Sequence, residues 1–225
     1  MITPSTKLVA VLGHPVGHSL SPRMHNAAFA ALGLDWAYVA LDVPSDRLEE
    51  AVRGLAAAGF AGANVTTPHK VAVAQLVDGE APSVNTLLFR DGSVEGISTD
   101  AAILEGLEAK HPVVLGDGGA AQAFLHALPH AHSFARRGEW PPDVGDADLV
   151  VNATAARDDV LVELRAGQTL VDLPYPATAT ARAARGAGAR VLDGHEVLLA
   201  QGAVSFELWT GLPAPVETMR VALEP

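Results

Sequence analysis

Four short segments of this chain place glycine or polar residues where an open α/β sheet meets its ligand. The first is Gly116-Asp117-Gly118-Gly119-Ala120-Ala121, set between the apolar run Val113–Leu115 and an alanine-rich helical stretch. In that context glycines let the backbone approach a pyrophosphate, and the helix start offers N–H groups and a favourable dipole. About 20 positions on, such a site carries an acid for a ribose hydroxyl or an arginine for a 2′-phosphate. The sequence there reads Ala135-Arg136-Arg137, which favours NADP over NAD. The plainer alternative is an ordinary turn followed by two solvated arginines. Asp117 counts against the dinucleotide reading, because its carboxylate opposes a pyrophosphate unless it points away.

The second segment, Asn64-Val65-Thr66-Thr67-Pro68-His69-Lys70, ends a strand in polar residues and presents Lys70 at a helix start on the sheet's carboxyl edge. The third is Ser98-Thr99-Asp100, and the fourth is the loop Gly13-His14-Pro15-Val16-Gly17-His18-Ser19-Leu20-Ser21-Pro22. Taken singly, each has a structural reading. Lys70 is a solvated helix-start lysine, Asp100 a first-turn carboxylate favoured by the helix dipole, and Ser21 an N-cap with Pro22 at the first helical position. His14 and His18 lie in a Pro/Gly loop with no acid near them in sequence, so no metal site is expected there. His69 reads as a surface neighbour of Lys70.

The elements that must position these residues alternate between strand and helix. Strands are expected at Lys7–Leu12, Trp36–Val43 and Gly62–Val65, with helices at Pro22–Leu32, from Ser45 as N-cap to Ala58, and briefly after Pro68. Asp91-Gly92 between Asn85–Arg90 and Ser93–Ile97 is a hairpin signal, so this half has a mixed sheet. The pattern then restarts with a connecting helix at Thr99–Lys110. Strands follow at Pro112–Leu115, His132–Phe134, Leu149–Asn152, Thr169–Asp172 and Arg190–Leu192. Helices are expected at Ala120–Leu128, Ala177–Arg185 and Glu196 to about Thr210, with a terminal helix, Ala214–Leu223, packing back on the first lobe. Only Gly138–Ala147, broken by Pro141-Pro142, separates the arginines from the next strand. A parallel crossover normally takes a dozen or more residues and a helix, so this one is expected to have lost its helix. The fold class is therefore two-lobed α/β: a mixed-sheet substrate domain, 1–98 with 197–225, and a reduced Rossmann-like dinucleotide-binding domain, 99–196.

Composition narrows the function. A formal net charge of -11 argues against nucleic acid, whose phosphates need clustered Lys and Arg. With no cysteine, disulfides, thiolate chemistry and zinc–thiolate sites are excluded. No apolar run approaches the roughly 18–20 residues that span a bilayer, and no signal-peptide pattern opens the chain. The expectation is a cytoplasmic protein, monomer or homodimer, with a small-molecule substrate.

In order along the chain, His18–Pro22, Asn64–Lys70, Val84–Thr86, Thr99-Asp100, Gly116–Ala120, Asn152–Thr154, Gln201-Gly202 and Trp209–Gly211 resemble the motifs of the shikimate dehydrogenase family. The resemblance implies that Ser19 and Ser21 hold a substrate carboxylate, with Tyr175 near it. It implies that Thr66, Lys70, Asn85, Asp100 and Gln201 surround the ring hydroxyls, with Lys70 and Asp100 catalytic. It places NADP on Gly116, Gly118, Gly119, Ala120, Arg136, Asn152 and Thr154. The activity implied is NADPH-dependent reduction of 3-dehydroshikimate to shikimate, in aromatic amino acid and chorismate biosynthesis. Departures from the family pattern fall mostly on the cofactor lobe: Ala101 and Ser83 replace glycines, Ala155-Ala156-Arg157-Asp158 follows Asn152-Ala153-Thr154, and Pro176 comes one place early. Two rivals follow, a dehydrogenase of quinate or another cyclic polyol acid, and a non-catalytic shikimate-binding homologue.

Overall fold

The computed structural model describes residues 2–224. It forms two compact units, Met1–Thr99 with Leu199–Pro225, and Asp100–Leu198.

In the first unit, β1 (Lys7–Gly13), β2 (Trp36–Asp42), β3 (Gly62–Val65), β4 (Thr86–Arg90) and β5 (Ser93–Ile97) form one sheet in the order β2-β1-β3-β4-β5. β1 runs parallel to β2 and β3, and β4 runs antiparallel to β3 and β5. Asp91 and Gly92 take φ of 50° and 80°, the left-handed pair that closes a two-residue hairpin. The pleat sends alternate residues to opposite faces. Ala10, Leu12, Ala63, Val65 and Leu87 pack on one face with Leu48, Val52 and Leu55 of α2 (Leu48–Ala57) and Val73 of α3 (Lys70–Ala74).

Aromatic rings occupy the other face. His25 of α1 (Ser21–Ala31) meets Tyr38, Phe29 of the same helix meets Trp36, and Phe206 and Trp209 come from the later part of α6 (Gly194–Thr210). The last helix, α7 (Val216–Leu223), packs on α1 and buries Met219 and Leu223. His25 is fully buried, its ring stacks 4.6 Å from that of Tyr38, and neither ring nitrogen has a hydrogen-bond partner. Burial pushes the imidazole down to about 3. The unfolded imidazole takes a proton below its ordinary 6.5 while the folded one does not. Between those values the unfolded state binds more protons, so stability falls as pH drops. This residue alone should contribute a slope of about 1 kcal/mol per pH unit below pH 6.5. Urea unfolding of His25→Phe beside the parent, at pH 7 and pH 5, should show a flatter pH dependence in the variant; equal slopes would refute it.

The second unit holds β6 (Pro112–Leu115), β7 (His132–Phe134), β8 (Leu149–Asn152), β9 (Thr169–Asp172) and β10 (Arg190–Leu192), all parallel, in the order β10-β9-β8-β6-β7. Both faces are covered, so the strands read as continuous apolar runs. Val114, Leu149, Val151 and Val171 meet Ala121 and Phe124 of α4 (Gly119–Ala127). Val113, Leu115, Val150 and Leu170 meet Ala181 and Ala184 of α5 (Ala179–Gly186). No helix forms between β7 and β8, or between β8 and β9, among the described residues. Val144, Ala147, Val162 and Leu164 from those links, with Trp140 packed against them, cover the sheet instead.

Several local expectations need correction. The expected helix from Ser45 is a 3-10 turn, Ser45–Arg47, followed by α2 with Arg47 at its N-cap position, and Ser45 caps neither. Ser21 is not the cap of α1; Leu20 is, and Ser21 is the first helical residue. The expected Thr99–Lys110 helix is only a 3-10 turn, Asp100–Leu104, because Gly106 (φ 74°) follows and Pro112 lies beyond it. The second-unit helix starts at Ala179, capped by the Thr178 hydroxyl, which accepts from the Ala181 N–H.

Candidate active site

Parallel pairing of β1 with β3 brings their carboxyl ends together, and antiparallel pairing brings the start of β4 and the end of β5 to the same edge. The loop that holds Ser19 and Ser21, the turn from Thr66 to Lys70, Asn85 and Thr99 therefore leave the sheet at one place. The Leu12 carbonyl accepts from the Thr66 N–H at 2.8 Å, and the Thr67 carbonyl from the His14 N–H at 3.1 Å. Ser19 is half-buried and its hydroxyl accepts from the Ser21 N–H at 3.3 Å; Ser21 is buried.

Lys70 opens α3, and its carbonyl accepts from the Val84 N–H at 3.0 Å, which anchors the lysine backbone beside Asn85. His69 is no surface neighbour: it is 1 % exposed and its Nε2–H donates to the Val43 carbonyl at 2.7 Å. His14 does have an acidic partner, Asp42, supplied by β2 and 2.7 Å from Nδ1; sequence distance hid it. Among the described residues, no group of three or more His, Cys, Asp or Glu side chains could hold a metal ion.

Asn85 is held from both sides. Its Oδ1 accepts from the Thr99 N–H at 2.6 Å, and its Nδ2 donates to the Thr99 hydroxyl at 2.9 Å and to Gln201 Oε1 at 3.1 Å. Beneath lies a network that motif reading passed over. Asn64 Oδ1 accepts from the Tyr38 hydroxyl, and Asn64 Nδ2 donates to the Asn85 carbonyl, the Thr86 hydroxyl and the Ser205 hydroxyl. A buried polar group without partners costs about 1–3 kcal/mol, so a fully satisfied network fixes one arrangement of this edge. The signal available in sequence was an asparagine inside the buried strand Gly62–Val65. Asp100, directly after Thr99, is 6 % exposed.

In the second unit the glycine turn leaves β6 between the ends of β7 and β8. Gly116 takes φ of 120°, and a Cβ there would lie 3.1 Å from the Ala153 carbonyl oxygen, so the turn needs glycine. At Gly118 a Cβ would meet nothing within 4 Å, leaving open space over the backbone. α4 starts at Gly119 with no side-chain cap, and its first N–H groups, including that of Ala120, have no acceptor within the helix. That is a cradle of the kind a pyrophosphate fits.

Asn152 is fully buried. Its Nδ2 donates to Asp172 at 2.7 Å, and its Oδ1 accepts from the Thr154 hydroxyl at 2.7 Å, so it shapes the strand end rather than lying open. The guanidinium of Arg136 lies 5.6 Å from the Trp140 ring centroid. Tyr175 is half-buried, its carbonyl accepts from Arg157 at 2.7 Å, and its ring lies 5.7 Å from His195.

A mixed sheet with a polar carboxyl edge, joined in one chain to a parallel sheet with a glycine turn at a helix start, is the architecture of α/β dinucleotide-dependent oxidoreductases. Residues 11–87 match the shikimate dehydrogenase substrate binding domain, and residues 194–224 the shikimate 5′-dehydrogenase C-terminal domain. A protein of Anaeromyxobacter dehalogenans named shikimate dehydrogenase (NADP(+)) is 41 % identical over 272 aligned positions, covering 100 % of this chain and 98 % of the relative. One of the same name from Methanopyrus kandleri is 38 % identical over 97 % of this chain and 95 % of its own. The chain belongs to the shikimate dehydrogenase family. Its 225 residues against 272 aligned positions mean that the Anaeromyxobacter relative carries internal residues that this chain lacks. Among solved structures, shikimate dehydrogenase from Aquifex aeolicus superposes with a TM-score of 0.90 at 30 % identity, covering 100 % of both chains. The Thermus thermophilus enzyme, solved with NADP(H) and shikimate, gives 0.85 at 33 % identity over 96 % of this chain and 98 % of its own.

Proposed function

We propose that this protein reduces 3-dehydroshikimate to shikimate with NADPH, a step of aromatic amino acid and chorismate biosynthesis. The observation that carries the reading is the polar carboxyl edge of the first sheet, where Lys70, Asn85, Thr99 and Gln201 are tied together by Val84 N–H and by the Asn85 side chain. Ser19 and Ser21 bind the ring carboxylate through their hydroxyls. Thr66, Asn85 and Gln201 hold the ring hydroxyls, and leaving any of these donors unpaired in a closed pocket costs about 1–3 kcal/mol, which selects a polyol acid. When bound, the reduced nicotinamide supplies the hydride to the ketone carbon. The Lys70 ammonium stabilises the oxygen as it gains negative charge and gives it the proton. Asp100 accepts a hydrogen bond from a neighbouring ring hydroxyl. In the second unit the turn Gly116–Ala120 and Arg136 take the dinucleotide, and Asn152 and Thr154 fix the strand-end loop beside it.

The test is nicotinamide absorbance with shikimate plus NADP, then with NAD, and with quinate in place of shikimate. Shikimate with NADP is expected to give the highest kcat/KM. Faster quinate oxidation would move the substrate to another cyclic polyol acid. Silence with every pair, alongside thermal stabilisation by shikimate alone, would make the protein a binding homologue.

A further inference from the structure

In dinucleotide-binding sheets the end of the second strand meets the adenosine ribose, where an acid holds the hydroxyls of NAD or an arginine the 2′-phosphate of NADP. Here β7 ends at Phe134 and is followed by Ala135-Arg136-Arg137, with no acid. The fold brings the acid from another element. Asp117, the second residue of the glycine turn, places Oδ2 4.0 Å from Nε of Arg137, and both side chains are exposed, at 56 % and 91 %. Nearby, the Arg136 guanidinium lies over the Trp140 ring, and Glu139 accepts from His132 at 3.0 Å.

We propose that Asp117 and Arg137 together set the cofactor preference, which makes Asp117 a specificity-determining residue for the reaction. This deepens the reading of Gly116–Ala120 as the cofactor turn and rests on it. A guanidinium at this strand end forks onto a 2′-phosphate, and a carboxylate beside it accepts hydrogen bonds from ribose hydroxyls. An exposed ion pair of this length is weak and screened, so either partner exchanges it readily for a ligand. The carboxylate nevertheless stays beside any bound phosphate and repels it. The chain therefore discriminates NADP from NAD less sharply than its two arginines alone would.

Calorimetric dissociation constants for NADP+ and NAD+ test this without requiring turnover. Asp117→Ala and Asp117→Asn should each raise the ratio of NADP+ to NAD+ affinity by about tenfold, and Arg137→Ala should lower it by a similar factor, each corresponding to roughly one lost or gained charge contact. Adenosine 2′,5′-bisphosphate against 5′-AMP should shift in parallel. If the Asp117 variants change both dinucleotide affinities by one common factor, Asp117 only shapes the turn and the proposal falls. An unmoved ratio in an active enzyme overturns the pair and leaves the reaction standing. A moved ratio in a protein inactive on shikimate supports the pair and overturns the reaction.

Discussion

Lys70→Ala should lower kcat for shikimate with NADP by on the order of 10³-fold, because the alkoxide then forms with neither a counter-charge nor a proton donor. The backbone around Lys70 is held independently of its side chain. The Lys70 carbonyl accepts from Val84 N–H, the His69 ring is bonded to the Val43 carbonyl, and the Val73 N–H donates to the His69 carbonyl. The variant should therefore fold as the parent does, with an unchanged circular dichroism melt. Lys70→Arg is expected to be nearly as poor, since a guanidinium keeps the charge but does not release a proton in this pH range. Steady-state kinetics on both variants checks this. Full activity in the alanine variant would remove lysine from the chemistry.

The largest effect on stability is expected at Gly62. β3 passes under Trp209 there, and the indole N–H donates to the Leu87 carbonyl at 3.0 Å on the adjoining strand. A Cβ on residue 62 would lie 2.2 Å from Trp209 Nε1 and 2.3 Å from the Leu87 carbonyl oxygen. Neither neighbour can yield cheaply, because one is backbone and the other is wedged among His25 and Tyr38. Gly62→Ala should therefore destabilise by about 4 kcal/mol, beyond ordinary overpacking, and lower Tm by about 10 °C. Trp209→Phe loses the hydrogen bond and part of the buried ring volume and should cost about 2 kcal/mol. Thermal and urea unfolding of the pair gives the comparison, and an unaffected Gly62→Ala protein would contradict the close approach.

The strands were legible because their signal is local. Pro112–Leu115, Leu149–Asn152 and Thr169–Asp172 are short, mainly apolar runs covered on both faces, each ending at its polar or turn residues. The loss of the crossover helix before β8 was legible too, since Pro141-Pro142 in a short link leaves no room for one. Helix starts were not. Ser21 and Ser45 are good caps by type, yet Leu20 and Arg47 take those positions, because packing of the apolar faces fixes where a helix begins. Partners brought in by tertiary pairing were invisible as well. Asp42 reaches His14 from the adjoining strand, Val43 holds His69, and Ser205 of α6 reaches Asn64. Within the candidate site, residue types could be chosen from sequence, but the Asn64 network that orients Asn85 needed the fold.

What decides the account is whether the edge recognises its ring acid without the group that does the chemistry. Calorimetric titration of shikimate into the parent and into Lys70→Ala, side by side, answers this. Binding to both is predicted, with dissociation constants within roughly tenfold, because the proposed carboxylate and hydroxyl contacts of Ser19, Ser21, Asn85 and Gln201 do not depend on the lysine. No binding to the parent, or binding that vanishes with the lysine alone, would contradict it.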